Sequence, residues 1–227
     1  NTAKQLIPDD PILLNTLGLV EMRRNNFEAS EQYLLESLKR KKNYKSALNN
    51  LAALYQKIGQ MKKSVKIFKK LLLIFPNDQN LLNNLGNVLI DLNLYEEAIK
   101  NLKKAIKINP SESSFLSNLG RALFFYGKHK DAEEMLNKSL DLNPNNHEAR
   151  LIFFYILIIK KDLKNAWHYF NSRLNVKNYF IPNNLKLINN TKDIKNKKIL
   201  VLREAGLGDE ILFSSIYPEL IKQNNNV

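Results

Sequence analysis

Apolar residues return at intervals of three and four along most of the chain, and the whole pattern repeats every 34 residues. Leu14, Leu48, Leu82 and Leu116 form one column, and Leu17, Leu51, Leu85 and Leu119 form another. Gly18, Ala52, Gly86 and Gly120 follow directly. Later columns hold Phe27, Met61, Tyr95 and His129; Ser30, Ser64, Ala98 and Ala132; Leu34, Phe68, Leu102 and Leu136; and Ser37, Leu71, Ala105 and Ser139. Pro8, Pro76, Pro110 and Pro144 share the register, with Lys42 in the remaining slot. Spacings of three and four put one apolar stripe on each of two helices per unit. The small residue after the second Leu lets the first helix, A, approach its partner, B, closely. The proline lies just past helix B and ends it, since it has no N–H to continue the ladder. Gly59 and Gly127 fall at the A-to-B turn, where a left-handed backbone costs glycine little.

These columns resemble the tetratricopeptide repeat, a helix–turn–helix unit of the same length. The resemblance implies an all-α solenoid of stacked helix hairpins over residues 1–175. Full repeats are expected at about 11–44, 45–78, 79–112 and 113–146. Residues 1–10, with Ala3 in the small column and Pro8 in the proline column, read as the end of a partial repeat whose start has been cut away. Residues 147–175 read as a capping unit, with Phe153, Phe154, Leu157, Leu163, Ala166 and Phe170 as its apolar positions and Arg150 in the leading Leu column. Terminal repeats of such arrays are usually atypical.

The character changes after that. Residues 176–196 read as an irregular connector. Lys198-Ile-Leu-Val-Leu202 is an apolar run suited to a buried parallel strand. Gly206-Leu-Gly208-Asp209 forms a tight loop, and 210–222 a helix that Pro218 ends or kinks near Tyr217. Strand, Gly-rich loop and helix open a Rossmann-like α/β unit, so residues 197–227 are expected to be its truncated start.

Two motifs flank the connector: Trp167-His-Tyr-Phe170-Asn-Ser-Arg173, and the run from Lys198 to Phe213 with Glu204, Gly206, Gly208 and Asp209 at its centre. In this order, behind a repeat array, they resemble the junction in bacterial tetratricopeptide-repeat proteins fused to a two-lobed GT-B glycosyltransferase domain similar to the heptosyltransferases. The resemblance implies that Asp209 is a general base for an acceptor hydroxyl, that Gly206 and Gly208 shape its loop, and that Glu204 orients loop or acceptor. Asp209 reads equally as the N-cap of the following helix. The resemblance also implies a nucleotide-sugar donor for a full-length protein. With no second lobe, the chain itself is expected to hold no cofactor and to turn nothing over. Ala205 stands where the motif usually has Gln, and Ser215-Ile216 where it has an Arg-Tyr pair. The alternative is a non-enzymatic adaptor with a degenerate C-terminal lobe.

Composition narrows the classes further. The absence of cysteine among 227 residues removes disulfide scaffolds, thiolate metal sites and cysteine nucleophiles. The formal charge of +13 comes mostly from Lys, and about one residue in seven is Asn. AT-rich codons alone yield that composition, and the Arg forks and regular aromatic platforms of specific nucleic-acid binding are missing. Lys62, Lys63, Lys66, Lys69 and Lys70 read as a solvated convex helix face, or else as a surface for an acidic partner or anionic lipid. The longest apolar run, Leu151–Ile159, is far below the about 20 residues of a membrane span. A cytoplasmic setting is therefore expected. No His pair has metal-ligand spacing, so no metal is expected.

The groove of the repeats offers the sharper expectation. In this repeat family the fifth and sixth positions of helix A lie on or near the concave face. They read Asn15-Thr16, Asn49-Asn50, Asn83-Asn84 and Ser117-Asn118, six Asn among eight residues. Asn is a mediocre helix former, so its concentration there needs a cause. A side-chain amide both donates and accepts, and a ladder of Asn15, Asn49, Asn50, Asn83, Asn84 and Asn118 is able to grip the backbone of an unstructured peptide. It resembles the asparagine ladder of the eukaryotic O-linked N-acetylglucosamine transferase superhelix. The competing reading is hydrogen bonding between repeats with no ligand. A carboxylate clamp is not expected: its positions hold Asn, Ser, Ala and Leu, and Arg23, Lys57 and Arg121 do not form that set.

Overall fold

The structure, a computed structural model, describes residues 10–162 together with 165, 166 and 169. The regular elements among them are nine helices: α1 (Pro11–Arg23), α2 (Phe27–Arg40), α3 (Lys45–Lys57), α4 (Met61–Ile74), α5 (Gln79–Asp91), α6 (Tyr95–Ile108), α7 (Ser113–Phe125), α8 (His129–Leu142) and α9 (His147–Ile159). Odd-numbered helices are the A helices, with 13 residues each, and even-numbered ones are the B helices, with 14. Each helix packs on the next one in sequence, both within hairpins and between them. The expected partial repeat at 1–9 lies outside the described residues, as do the connector and the strand, loop and helix of 197–227.

The two ends of helix A are built by different chemistry. Its start is capped by side chains: Asp10 accepts from the Ile12 amide, Asp78 from Asn80 and Leu81, Glu112 from Ser114, and Asn146 from Ala149. Those carboxylates and amides satisfy donors that no helical carbonyl reaches. Tyr44 holds the same column in the second repeat and gives no side-chain cap. The end of helix A is closed by its own backbone. Asn25, Gly59, Asn93, Gly127 and Lys161 all take a positive φ, between 60° and 86°. The amide that follows each of them returns to a carbonyl five residues back, as in Gln60 to Tyr55 at 2.7 Å and Leu94 to Leu89 at 2.8 Å. This double closure is the Schellman arrangement, and it explains why helix B starts without a side-chain cap in all four hairpins.

The A and B helices meet at their small-residue column. A β-carbon added at Gly18, Gly86 or Gly120 would stand 2.7, 2.6 or 2.7 Å from the nearest side-chain carbon of Leu34, Leu102 or Leu136. Each of those leucines is fully buried. The second hairpin solves the same contact differently, with Ala52 in the glycine column and Phe68 in the leucine column, both sealed in the core. The core then runs on through α9, where Ile152, Phe153, Phe154, Ile156 and Leu157 are buried, to Ala166. The apolar run 151–159 is thus a core helix.

Candidate functional site: the face of the A helices

Successive A helices are joined side chain to side chain by amide pairs. Asn50 Nδ2 donates to Asn15 Oδ1 at 2.8 Å, Asn84 Nδ2 to Asn49 Oδ1 at 3.0 Å, and Asn118 Nδ2 to Asn83 Oδ1 at 2.8 Å. Every pair links the fifth position of one repeat to the sixth position of the next. Consecutive helix residues point about 100° apart, so one faces the following repeat and its neighbour faces the preceding one. All six predicted asparagines belong to these three rungs. Asn15, Asn83 and Asn118 are buried, and Asn49, Asn50 and Asn84 half-buried.

The two non-Asn residues among the eight bond within their own helices. Thr16 has no described repeat before it and donates to its own helix, to the Ile12 carbonyl at 2.9 Å. Ser117 would pair with position 152, but that residue is the buried Ile152, and its hydroxyl donates instead to the Ser114 carbonyl at 3.0 Å. The three rungs are thus all Asn–Asn, while the hydroxyls at 16 and 117 turn back on their own helices. The inter-repeat reading of the ladder describes this bonding.

Each rung uses only part of its hydrogen-bonding capacity. The Nδ2 groups of Asn15, Asn49 and Asn83 keep their protons, and the Oδ1 atoms of Asn50, Asn84 and Asn118 keep their lone pairs. None of these six atoms is sealed from solvent without a partner. The free ends therefore reach solvent. A rung offers one donor and one acceptor, which are the two groups a peptide unit complements.

A second line of polar contacts follows the same helices closer to their C-terminal ends. Gln56 donates to Asp91 at 2.7 Å. Arg121 reaches Asn87 at 3.3 Å, Asp91 at 4.0 Å and Glu148 at 3.2 Å, tying three repeats together. Lys57 donates to Asn25 Oδ1 at 3.0 Å. Arg121 and Asn87 share a column, whereas the Lys57–Asn25, Arg121–Asp91 and Arg121–Glu148 contacts each join two different columns.

Two groups beside the hairpin seams have shifted acidities. The Tyr55 hydroxyl is pushed up to about 12 by burial and by its hydrogen bond to Glu31 at 2.7 Å. For Asp78, partial burial works to raise the carboxyl, but Lys45 and the capped amides of Leu81 and Asn80 outweigh it and hold it below its ordinary value.

Among the described residues no group of three acidic or His side chains is placed to hold a metal ion, and no helix is long and apolar enough to cross a membrane. Asp209, Glu204, Gly206 and Gly208 lie outside the described residues.

Residues 44–111 and 78–145 match the family model of the tetratricopeptide repeat, and residues 5–71 match that of the coatomer epsilon subunit. No curated protein matches the chain. Among solved structures it is similar to pilF of Pseudomonas aeruginosa, at 27% identity and a TM-score of 0.63, over 71% of this chain and 74% of that one. It is similar in fold to TTC0263, a thermophilic tetratricopeptide-repeat protein of Thermus thermophilus, at 20% identity and 0.65, over 74% and 92%. It is also similar in fold to YrrB, a tetratricopeptide-repeat protein with an unusual peptide-binding site, at 17% identity and 0.55, over 78% and 91%. Two overlapping family matches cover residues 44–145, and on 34-residue helix hairpins of this geometry that segment is built of tetratricopeptide repeats.

Proposed function

We propose that this protein is a protein-interaction scaffold whose A-helix face holds an unstructured peptide or protein segment through its main chain, by the free ends of the three asparagine rungs. The observation that carries this is the open donor and open acceptor on each rung. Contacting helices lie about 8–10 Å apart, and an extended peptide rises about 3.3 Å per residue. A bound chain would therefore meet a rung roughly every third residue and read little of the side-chain sequence. The peptide-binding site described for YrrB gives the fold a precedent. The test is a titration of fluorescein-labelled unstructured peptides against the protein and its Asn49, Asn50, Asn83 and Asn84 to Ala variant. Retained helicity with lost binding supports the groove; loss of the helices themselves assigns the rungs to structure alone.

We further propose that the repeats serve a cytoplasmic glycosyltransferase-like protein. The support is the pair of motifs at 167–173 and 198–213. In that setting Asp209 takes the acceptor proton and the donor is a nucleotide sugar. Donor hydrolysis by the full-length protein, compared with Asp209→Asn, tests the role; equal rates remove it and leave the adaptor.

A further inference from the structure

The B helices carry a second surface that the groove does not use. Nine exposed lysines sit on two neighbouring B helices: Lys62, Lys63, Lys66, Lys69 and Lys70 on α4, and Lys100, Lys103, Lys104 and Lys107 on α6. Three pairs share columns: Lys66 with Lys100, Lys69 with Lys103, and Lys70 with Lys104. The same columns hold Gln32, Leu35 and Glu36 on α2, and Glu134, Asn137 and Lys138 on α8. Helix α4 has no acidic residue, whereas α2 and α8 each carry more acids than Lys and Arg. Codon bias acts on all four helices alike and does not account for charge concentrated on the middle two. Among the described residues Lys69 alone of the nine forms an ion pair, with Glu97 at 2.7 Å. Lys63 lies over the Tyr55 ring.

Between the two helices runs a cleft of about 390 Å³ with an apolar floor that includes Leu72, Pro76, Leu82 and Leu85. Lys69 and Lys104 also line it. Leu73, another lining residue, is 86% exposed, the most exposed large apolar side chain among the described residues. An exposed leucine beside an apolar cleft rimmed by lysines suits a ligand that carries both carboxylates and a bulky apolar side chain.

We infer that the α4–α6 seam is a docking site for an acidic peptide segment with an apolar anchor residue. The width of the basic patch selects this partner. It is two helices broad, and a planar anionic membrane or a nucleic-acid duplex laid on it would also meet Glu36 on one side and Glu134 on the other. Among the charged side chains lining the cleft, a single extended strand along the seam meets Lys69, Lys104 and Glu97. A helix of 14 residues is about 21 Å long, the reach of about six extended residues.

The test uses a fluorescein-labelled peptide of about eight residues, mostly Glu with two Leu, and the same peptide with Ser in place of Leu. The probes are titrated against the full chain, against K66E/K70E/K100E/K104E and against Leu73→Glu. All five positions are exposed, so the thermal midpoint serves as a check of fold. The expected result is saturable binding of the Leu-containing peptide, weakened about tenfold or more in both variants and by added salt, and weaker binding of the Ser peptide. Equal binding by wild type and both variants, no binding of the Leu peptide, or tighter binding of phosphatidylserine vesicles or a DNA duplex would overturn the assignment.

Discussion

Asn118 donates through Nδ2 to Oδ1 of Asn83 at 2.8 Å, and the two residues stand on facing A helices of adjacent repeats, both buried. A neutral hydrogen bond of this kind contributes about 1 kcal/mol net. A double-mutant cycle of Asn83→Ala and Asn118→Ala, read by urea unfolding, should therefore show a coupling of about 1 kcal/mol. The cycle of Ser117→Ala with Asn118→Ala, which share no rung, should show none.

The small column predicts a swap. Gly86 faces the Leu102 side chain at 2.6 Å from where a β-carbon would lie. Gly86→Ala alone should destabilise by about 1–3 kcal/mol through overpacking. The second hairpin accommodates Ala52 with Phe68 in the same two columns. Combining Gly86→Ala with Leu102→Phe should recover a large part of the loss. Thermal unfolding of the single and double variants measures it.

Left-handed backbone at the A-to-B turns makes another. Lys161 has φ 61°, a conformation in which its β-carbon is strained. Lys161→Gly should raise stability by up to about 1 kcal/mol. Gly127→Ala, at φ 86°, should lower it by a similar amount. Opposite shifts of the unfolding midpoint check both.

Asp78 makes stability depend on pH in a known direction. Its carboxyl is held below the ordinary 3.8 despite burial, because Lys45 and two capped amides favour the charged form. A lowered folded value means that the unfolded chain binds the proton first as pH falls. The contribution is complete above the unfolded value and is lost as pH falls through the folded one. Between about pH 5 and pH 3 the wild type should lose more stability than Asp78→Asn, which keeps a capping oxygen but no charge.

Much of this architecture was legible in the chain. Helix pairs, the proline stop and the Gly–Leu contacts follow from columns in which one residue type predominates, with Lys42, Ala52 and Phe68 as the exceptions. The turns at Gly59 and Gly127 were visible because glycine marks left-handed backbone, whereas Asn25, Asn93 and Lys161 adopt it without that marker. The asparagines stood out by number, but their bonding partners did not. A rung joins one column to the next column of the following repeat, an offset of 35 in a 34-residue repeat. The Asp91–Arg121–Glu148 line was hidden for the same reason, since each contact uses a different column. Asp209 and its loop lie outside the described residues, so their reading still rests on motif alone.

The central claim is that a rung both ties two repeats and offers its free ends to a peptide. Asn49→Asp separates the two roles. It keeps the Oδ1 acceptor that takes the Asn84 proton and turns the free Nδ2 donor into a second acceptor. Measured side by side, the unfolding free energy should stay within about 0.5 kcal/mol of wild type while affinity for an unstructured peptide falls about tenfold, the loss of one hydrogen bond to a peptide carbonyl. Unchanged affinity at unchanged stability would contradict the account.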